Sequence, residues 1–304
     1  MLAIGFDPSF IDILVRVENK HGNLLEHLPK PGFHNRFSTI TKIAGGNGVN
    51  ICAVLGKLGL DHILVVPINE EFKRLLADRN ITKSFSISEE INITVALTWK
   101  EGDVQFNQAT TRLGMDEWTQ EVHDLWVNSP VGTMINWGLN ENSHEWVACQ
   151  LLASGGFSAS EIHESDDVLG LAKSVDEVRQ TLLIEPGKYF HQPNTKKLDT
   201  LLQYLGKLSL KSDKKSILLY NEEEKPHFSQ FTFAQKILHT AQKVIYDNYE
   251  ENLTFNVPTL ETDPITFVGA GDAFFAGIID SLLKEKIDID HAILVAQQYL
   301  AAKL

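Results

Sequence analysis

ITFVGAGDAFFAGII, residues 265–279, decides how this chain is read. A short apolar run enters a Gly-Ala-Gly turn, and one carboxylate, Asp272, follows at once. The segment behind it is too apolar to face water, so it reads as a buried helix. Gly269 and Gly271 let backbone amides approach a ligand closely. The helix turns its N-terminal N–H groups and dipole toward the same point. Together they form an anion hole suited to a phosphoryl group in transfer. Asp272, in the first helical turn, is in reach of that point and can take the proton of an attacking hydroxyl. The same tetrapeptide also reads as a plain strand-to-helix turn with an acidic residue near the N-cap. A dinucleotide-binding reading is weaker, because Phe274 replaces the third glycine of G-x-G-x-x-G. No G-x-x-x-x-G-K-[ST] occurs in the chain, which excludes a P-loop nucleotidase.

Working outward, AGGNGVN (44–50) has the same construction. Glycines, Gly46 among them, precede a helix whose first turn carries Asn50, and a side-chain amide suits a sugar hydroxyl. It also reads as a Gly-rich loop with an N-cap. Behind it Ile51, Val54, Leu55 and Leu58 keep one buried helical face, and Gly59 stops the helix. Asn221-Glu222-Glu223-Glu224 lies at the carboxyl end of an apolar strand, where ligands bind in open α/β sheets. Carboxylates there suit Mg²⁺ held through water, and Asn221 with Glu224 equally makes a helix capping box. Asp12 sits where an apolar strand enters a lid-like segment. It can bind vicinal hydroxyls or be an edge-strand charge.

The apolar runs ILVVPI (63–68), VGTMINW (131–137), TLLIEP (181–186) and SILLYN (216–221) are separated mostly by helical stretches. That alternation predicts βαβ units and a parallel sheet. Residues 11–43 and 92–110 lack crossover helices and predict a small separate sheet, with a hairpin through Glu101-Gly102-Asp103. Such a sheet over an α/β crevice makes a lid. Residues 155–178 are polar and poorly periodic and read as an insertion.

Bulk properties narrow the function. The chain has 304 residues, 43% apolar and 22% charged, as a globular protein does. A net charge of −13 argues against a nucleic-acid surface but not against an anionic ligand on backbone amides. No apolar run is long enough to span a membrane. The N-terminus reads as a first strand and not a signal peptide, and a cytoplasmic location is expected. Cys52 and Cys149 read as buried thiols. The histidines show no metal-ligand spacing.

These stretches, in this order, resemble the PfkB (ribokinase) family of carbohydrate kinases. SFIDILVRV resembles its first-strand segment and LPKPGFHNRF its lid. IAGGNGVNICAVLGKLG resembles the N-terminal signature, YNEEE the N-x-x-E motif, and VGAGDAFFAGII the C-terminal signature. The resemblance implies one kinase domain over 1–304, a three-layer α/β/α sandwich with a small β lid. It implies a Mg²⁺-dependent transfer of the γ-phosphate of ATP to a sugar hydroxyl, with a nucleoside acceptor or a non-catalytic sugar-binding relative as alternatives. Asp272 would be the base, and Gly269, Ala270 and Gly271 the anion hole. Asp12, Gly46 and Asn50 would contact the sugar. Asn221 and Glu224 would place Mg²⁺ and the nucleotide phosphates, Glu224 through water. Many members dimerise through the lid, so a homodimer is also implied. The chain departs from the family at Val268, where a hydroxyl residue is usual, and at Ile184-Glu185-Pro186-Gly187. VIYDNYEENLTF (244–255) lacks the glycines expected of the strand leading to the nucleotide site.

Overall fold

In the computed structural model of the chain, residues 1–28, 38–100, 102–191, 193–211, 216–259 and 269–301 are described. In chain order the first elements are β1 (Leu2–Gly5), β2 (Phe10–Arg16), β3 (Thr39–Gly45), α1 (Asn47–Lys57), β4 (His62–Val66), α2 (Glu70–Asp78), β5 (Ser84–Ser86), β6 (Asn92–Trp99) and β7 (Gly102–Gln108). Then follow α3 (Gln120–Val127), β8 (Val131–Ile135), α4 (Ser143–Gly155), α5 (Ala159–His163), α6 (Val168–Ala172), β9 (Thr181–Glu185) and α7 (Thr195–Ser209). The last are β10 (Ser216–Asn221), α8 (Lys225–Phe228), β11 (Gln235–His239), β12 (Lys243–Asp247), β13 (Asn252–Asn256), α9 (Ala270–Leu283) and α10 (Ile289–Ala301).

Strands β8 to β11 pair in parallel, and β12 and β13 extend that sheet antiparallel, in the order β13-β12-β11-β10-β9-β8. A second parallel set, β1-β4-β5, lies with β1 beside β8. Among the described residues, no backbone ladder joins the two. The hydroxyl of Ser129 stands between them, accepting from the Ala3 N–H at 3.2 Å and donating to the Val131 carbonyl at 2.7 Å.

Period-2 alternation along these strands makes the sandwich. Met134, Leu182, Ile184 and Leu218 point to one face, under α3, α4 and α7. Val131, Ile135, Leu183 and Ile217 point to the other, under α1, α9 and α10. Each strand is apolar on both faces because helices cover both, which is why these runs read as continuous in sequence. The fold is therefore an α/β/α sandwich, as expected. Among the described residues, no helix is long and apolar enough to cross a membrane.

Segments 155–178 are not an appendage. They form the short helices α5 and α6, and Ile162, Ala172, Val175 and Val178 seat them in the core beside α4. Helices of five residues span little more than one 3.6-residue turn, too short for an apolar period to repeat, so their anchors show no pattern in the sequence.

A separate four-stranded sheet, β3-β2-β6-β7, stands at the end of the sandwich where the parallel strands finish. Strands β6 and β7 form the expected hairpin, with Val95 opposite Phe106. Asn92 anchors its base. The buried Asn92 Oδ1 accepts from the N–H groups of Thr110 and Thr111, at 2.6 and 3.0 Å.

Candidate active site

The N-termini of α1 and α9 meet where the parallel strands end. Gly46 is the N-cap of α1 with φ 105°, and Gly269 is the N-cap of α9 with φ 82°. Side-chain-bearing residues rarely adopt either conformation, so glycine is what lets both chains turn straight into a helix. Ala270, Gly271 and Asp272 occupy the first turn of α9 and are half-buried. Val268 lies outside the described residues, as do residues 29–37, within the stretch that resembles the family's lid segment.

Asn50 joins the two helices. Its Nδ2 donates to Asp272 Oδ2 at 2.8 Å. The amide cannot turn over freely, because Arg79 Nη2 donates to Asn50 Oδ1 at 2.9 Å. Arg79 is the C-cap of α2, whose Phe72 and Leu76 are buried and whose N-cap Asn69 accepts from the Phe72 N–H at 2.8 Å. Its Nη1 also donates to the Ala44 carbonyl, 3.1 Å away.

Asp12 projects from β2, where it lies opposite Ile43 of β3. Its carboxylate leans across Gly45, in space that any side chain there would fill. Burial pushes the Asp12 carboxyl up to about 6, against the Thr94 hydroxyl and the Arg79 guanidinium, which favour its charged form. The Thr94 hydroxyl also lies 2.9 Å from Asn107 Oδ1, and its single proton serves one acceptor at a time. Asp12, Gly46, Asn50 and Asp272 thus share one region, as the sequence led us to expect.

Asn221 and Glu224 bond each other. Asn221 Oδ1 accepts from the Glu224 N–H at 3.1 Å, and Glu224 Oε2 accepts from the Asn221 N–H at 3.1 Å. These are the reciprocal bonds of a capping box, but they close the 222–224 turn, since the N-cap of α8 is Glu224 itself and carries no side-chain cap. They are compatible with a metal role, because Glu224 is buried beside a second carboxylate. Burial first, and the charge of Glu185 second, push its pKa up.

Three groups at the site carried no assigned role in the sequence reading. Asp7 follows β1 and is 1% exposed under α1. The Gly48 N–H approaches its Oδ2 at 3.4 Å. Burial, with Asp272 nearby, pushes it up to about 8, so it is largely protonated at neutral pH. Arg79 acts from the end of a solvent-facing helix, and His239 ends β11. Only the placement of Asp7 after an apolar strand and before Pro8 could have flagged it locally. The stretch 244–255 forms the β12–β13 hairpin at the sheet edge, whereas β11 is the parallel strand that runs to the site.

No protein-family model matches the chain, and no curated protein matches it. Solved structures do. Ribokinase from Thermotoga maritima superposes with a TM-score of 0.64 at 15% identity, over 99% of this chain and 91% of that one. The nucleoside kinase of Methanocaldococcus jannaschii, an archaeal member of the ribokinase family, gives 0.61 at 15% identity, over 97% and 88%. Arabidopsis thaliana ribokinase, solved with ribose and ATP, gives 0.61 at 15% identity, over 97% and 89%. The chain has the ribokinase-like fold from end to end.

Proposed function

We propose that this protein is a Mg²⁺-dependent kinase of the PfkB type, transferring the γ-phosphate of ATP to a hydroxyl of a sugar or nucleoside. The observation that carries this reading is the 2.8 Å bond between Asn50 and Asp272. It ties the helix that would hold the acceptor to the helix that would hold the phosphate. Asp272, in the first turn of one helix and bonded to the other, is then the group that meets the reacting hydroxyl. Sugar and nucleoside kinases among the structural neighbours support the same class.

In this reading Asp12 accepts from two acceptor hydroxyls, and Asn50 and the backbone at Gly46 hold a third contact. Asn50 occupies Asp272 Oδ2 and orients the carboxylate. Asp272 lines up the attacking hydroxyl and receives its proton. Orientation matters more than basicity here, since phosphoryl transfer runs through a loose transition state. The amides of Gly269, Ala270 and Gly271 stabilise the charge on the transferring group. The β3-β2-β6-β7 sheet shields the reacting atoms from water.

Glu185 and Glu224 fit a divalent cation. They are like charges held close, and Glu185 Oε2 has no hydrogen-bond partner among the described residues. Two carboxylates suit Mg²⁺, which is bound through one or two carboxylates and completed by water and phosphate. When bound, the cation neutralises phosphate charge.

Asp272→Asn tests the base. Asparagine keeps the shape but cannot take the proton, so kcat should fall by about 10³-fold with acceptor KM little changed. Turnover near wild type, in a panel of sugars and nucleosides with ATP, would remove Asp272 from this role.

A further inference from the structure

Glu185 at the end of β9, His239 at the end of β11 and Glu224 in the turn after β10 lie near one another, with His239 beside Gly271 of α9. His239 is the member that the reaction above leaves unused. Its ring stacks on Phe274 with centroids 5.6 Å apart and planes 27° from parallel. Its Cε1 edge lies 3.4 Å from where a Cβ on Gly271 would be. Phe274 and Gly271 both belong to the first turns of α9, so the ring is fixed to the rim of the anion hole.

Its polar atoms are not fully used. Nε2 faces Glu185 Oε1 at 3.4 Å, long for a hydrogen bond. Among the described residues, the buried Nε2 has no hydrogen-bond partner, and neither has Glu185 Oε2. Glu185 is only 8% exposed. Buried polar atoms are almost always satisfied, and exceptions concentrate where a ligand completes them. The acceptor groups Asp12 and Asn50 are carried by the lid and α1, whereas His239 stands with Glu185 and Glu224. Two carboxylates repel a bare polyphosphate, so the ligand that fits here arrives with its cation.

Resting on the kinase reading, we infer that His239 is a phosphate-binding residue for the donor. Held by stacking on Phe274, its imidazole donates the unpartnered Nε2–H to the terminal phosphoryl group of a cation–nucleoside triphosphate complex as that group enters the Gly269–Gly271 turn. The contact belongs to the terminal phosphoryl alone, so it separates triphosphate from diphosphate.

Calorimetric titration of the full chain with AMP-PNP and with ADP, each with Mg²⁺, tests this. Wild type should bind AMP-PNP more tightly than ADP. His239→Phe keeps the stacking but has no N–H. It should weaken AMP-PNP about tenfold and ADP less than about twofold, and His239→Gln, which restores an N–H donor, should recover most of the loss. His239→Met serves as the donor-free variant if the phenylalanine does not fold. A donor-free variant that binds AMP-PNP like wild type, or weakens both nucleotides equally, overturns the role of His239 alone. A wild-type protein that binds neither nucleotide overturns the kinase reading and this inference with it.

Discussion

Asp7 owes its position to a turn that few residues make. Gly5 has φ 109° and Phe6 has φ 56°, a left-handed conformation costing an ordinary residue about 1–2 kcal/mol. The turn is held from outside. The Phe6 N–H donates to the Val65 carbonyl at 2.6 Å, and Trp146 Nε1 donates to the Phe6 carbonyl at 2.6 Å. The Phe6 ring sits edge-on to Trp126, 5.0 Å away. The kink directs the Asp7 carboxyl under α1, where burial pushes it up to about 8 from 3.8. Between those values the folded chain holds a proton that the unfolded chain releases, so stability falls as pH rises through the window and levels off above about 8. Each pH unit crossed carries up to about 1.4 kcal/mol. Asp7→Asn imitates the neutral acid and still accepts from the Gly48 N–H. Thermal melts at pH 5 and pH 8.5 should show the wild type losing several degrees and the variant nearly flat. Parallel pH profiles would mean that another group is responsible. Residues of this kind escape a sequence reading for a physical reason. Asp272 and Asn50 belong to local Gly-rich turns, but Asp7, Arg79 and His239 matter only through neighbours far away in the chain.

At the scale of elements, legibility follows how local the cause is. Helix α1 and its buried stripe are written in eleven consecutive residues, and the β6–β7 hairpin in its central glycine. Helices α5 and α6 are anchored by scattered single residues, and the roles of β11 and β12 depend on which partner each strand finds. Strand pairing also shapes the side proposed to take the acceptor. Register puts Asp12 opposite Ile43, so its carboxylate leans along the pleat across Gly45. A methyl group at Gly45 would overlap that carboxylate, and Asp12 must turn away. Gly45 has ordinary strand geometry, so Gly45→Ala should leave the melting temperature within a few degrees. Acceptor KM should rise at least about tenfold through loss of charge-assisted hydrogen bonds, with the KM for ATP unchanged. Steady-state kinetics varying each substrate in turn would show it. An unchanged acceptor KM would place the acceptor elsewhere.

Across the whole molecule, the two-sided apolar strands made the layered sandwich legible, but not the break between β1 and β8, where the Ser129 hydroxyl bonds the Ala3 N–H and the Val131 carbonyl. The lid poses a different question, because a sheet with only one useful polar face must cover the other. On one face lie Asp12, Thr94 and Asn107. Register puts Ile13, Val15, Ile40, Val95 and Phe106 together on the opposite face. Ile11 and Ala44, on that same face, are buried where the lid meets the sandwich. Farther out the cover ends, and Ile40 is 65% and Phe106 58% exposed. Lys42, opposite Ile13 on this face, pairs with Glu71, and the exposed apolar residues around it form the kind of surface that favours association. A second copy of the chain, apposing the same face, would bury both patches by one twofold operation. Sedimentation equilibrium should therefore find a dimer. Ile40→Glu combined with Phe106→Glu places charges on both outer strands and should yield monomer, while leaving the melting of the sandwich core unchanged. A wild-type chain that sediments as monomer at micromolar concentration would show that this face closes on something other than its own copy.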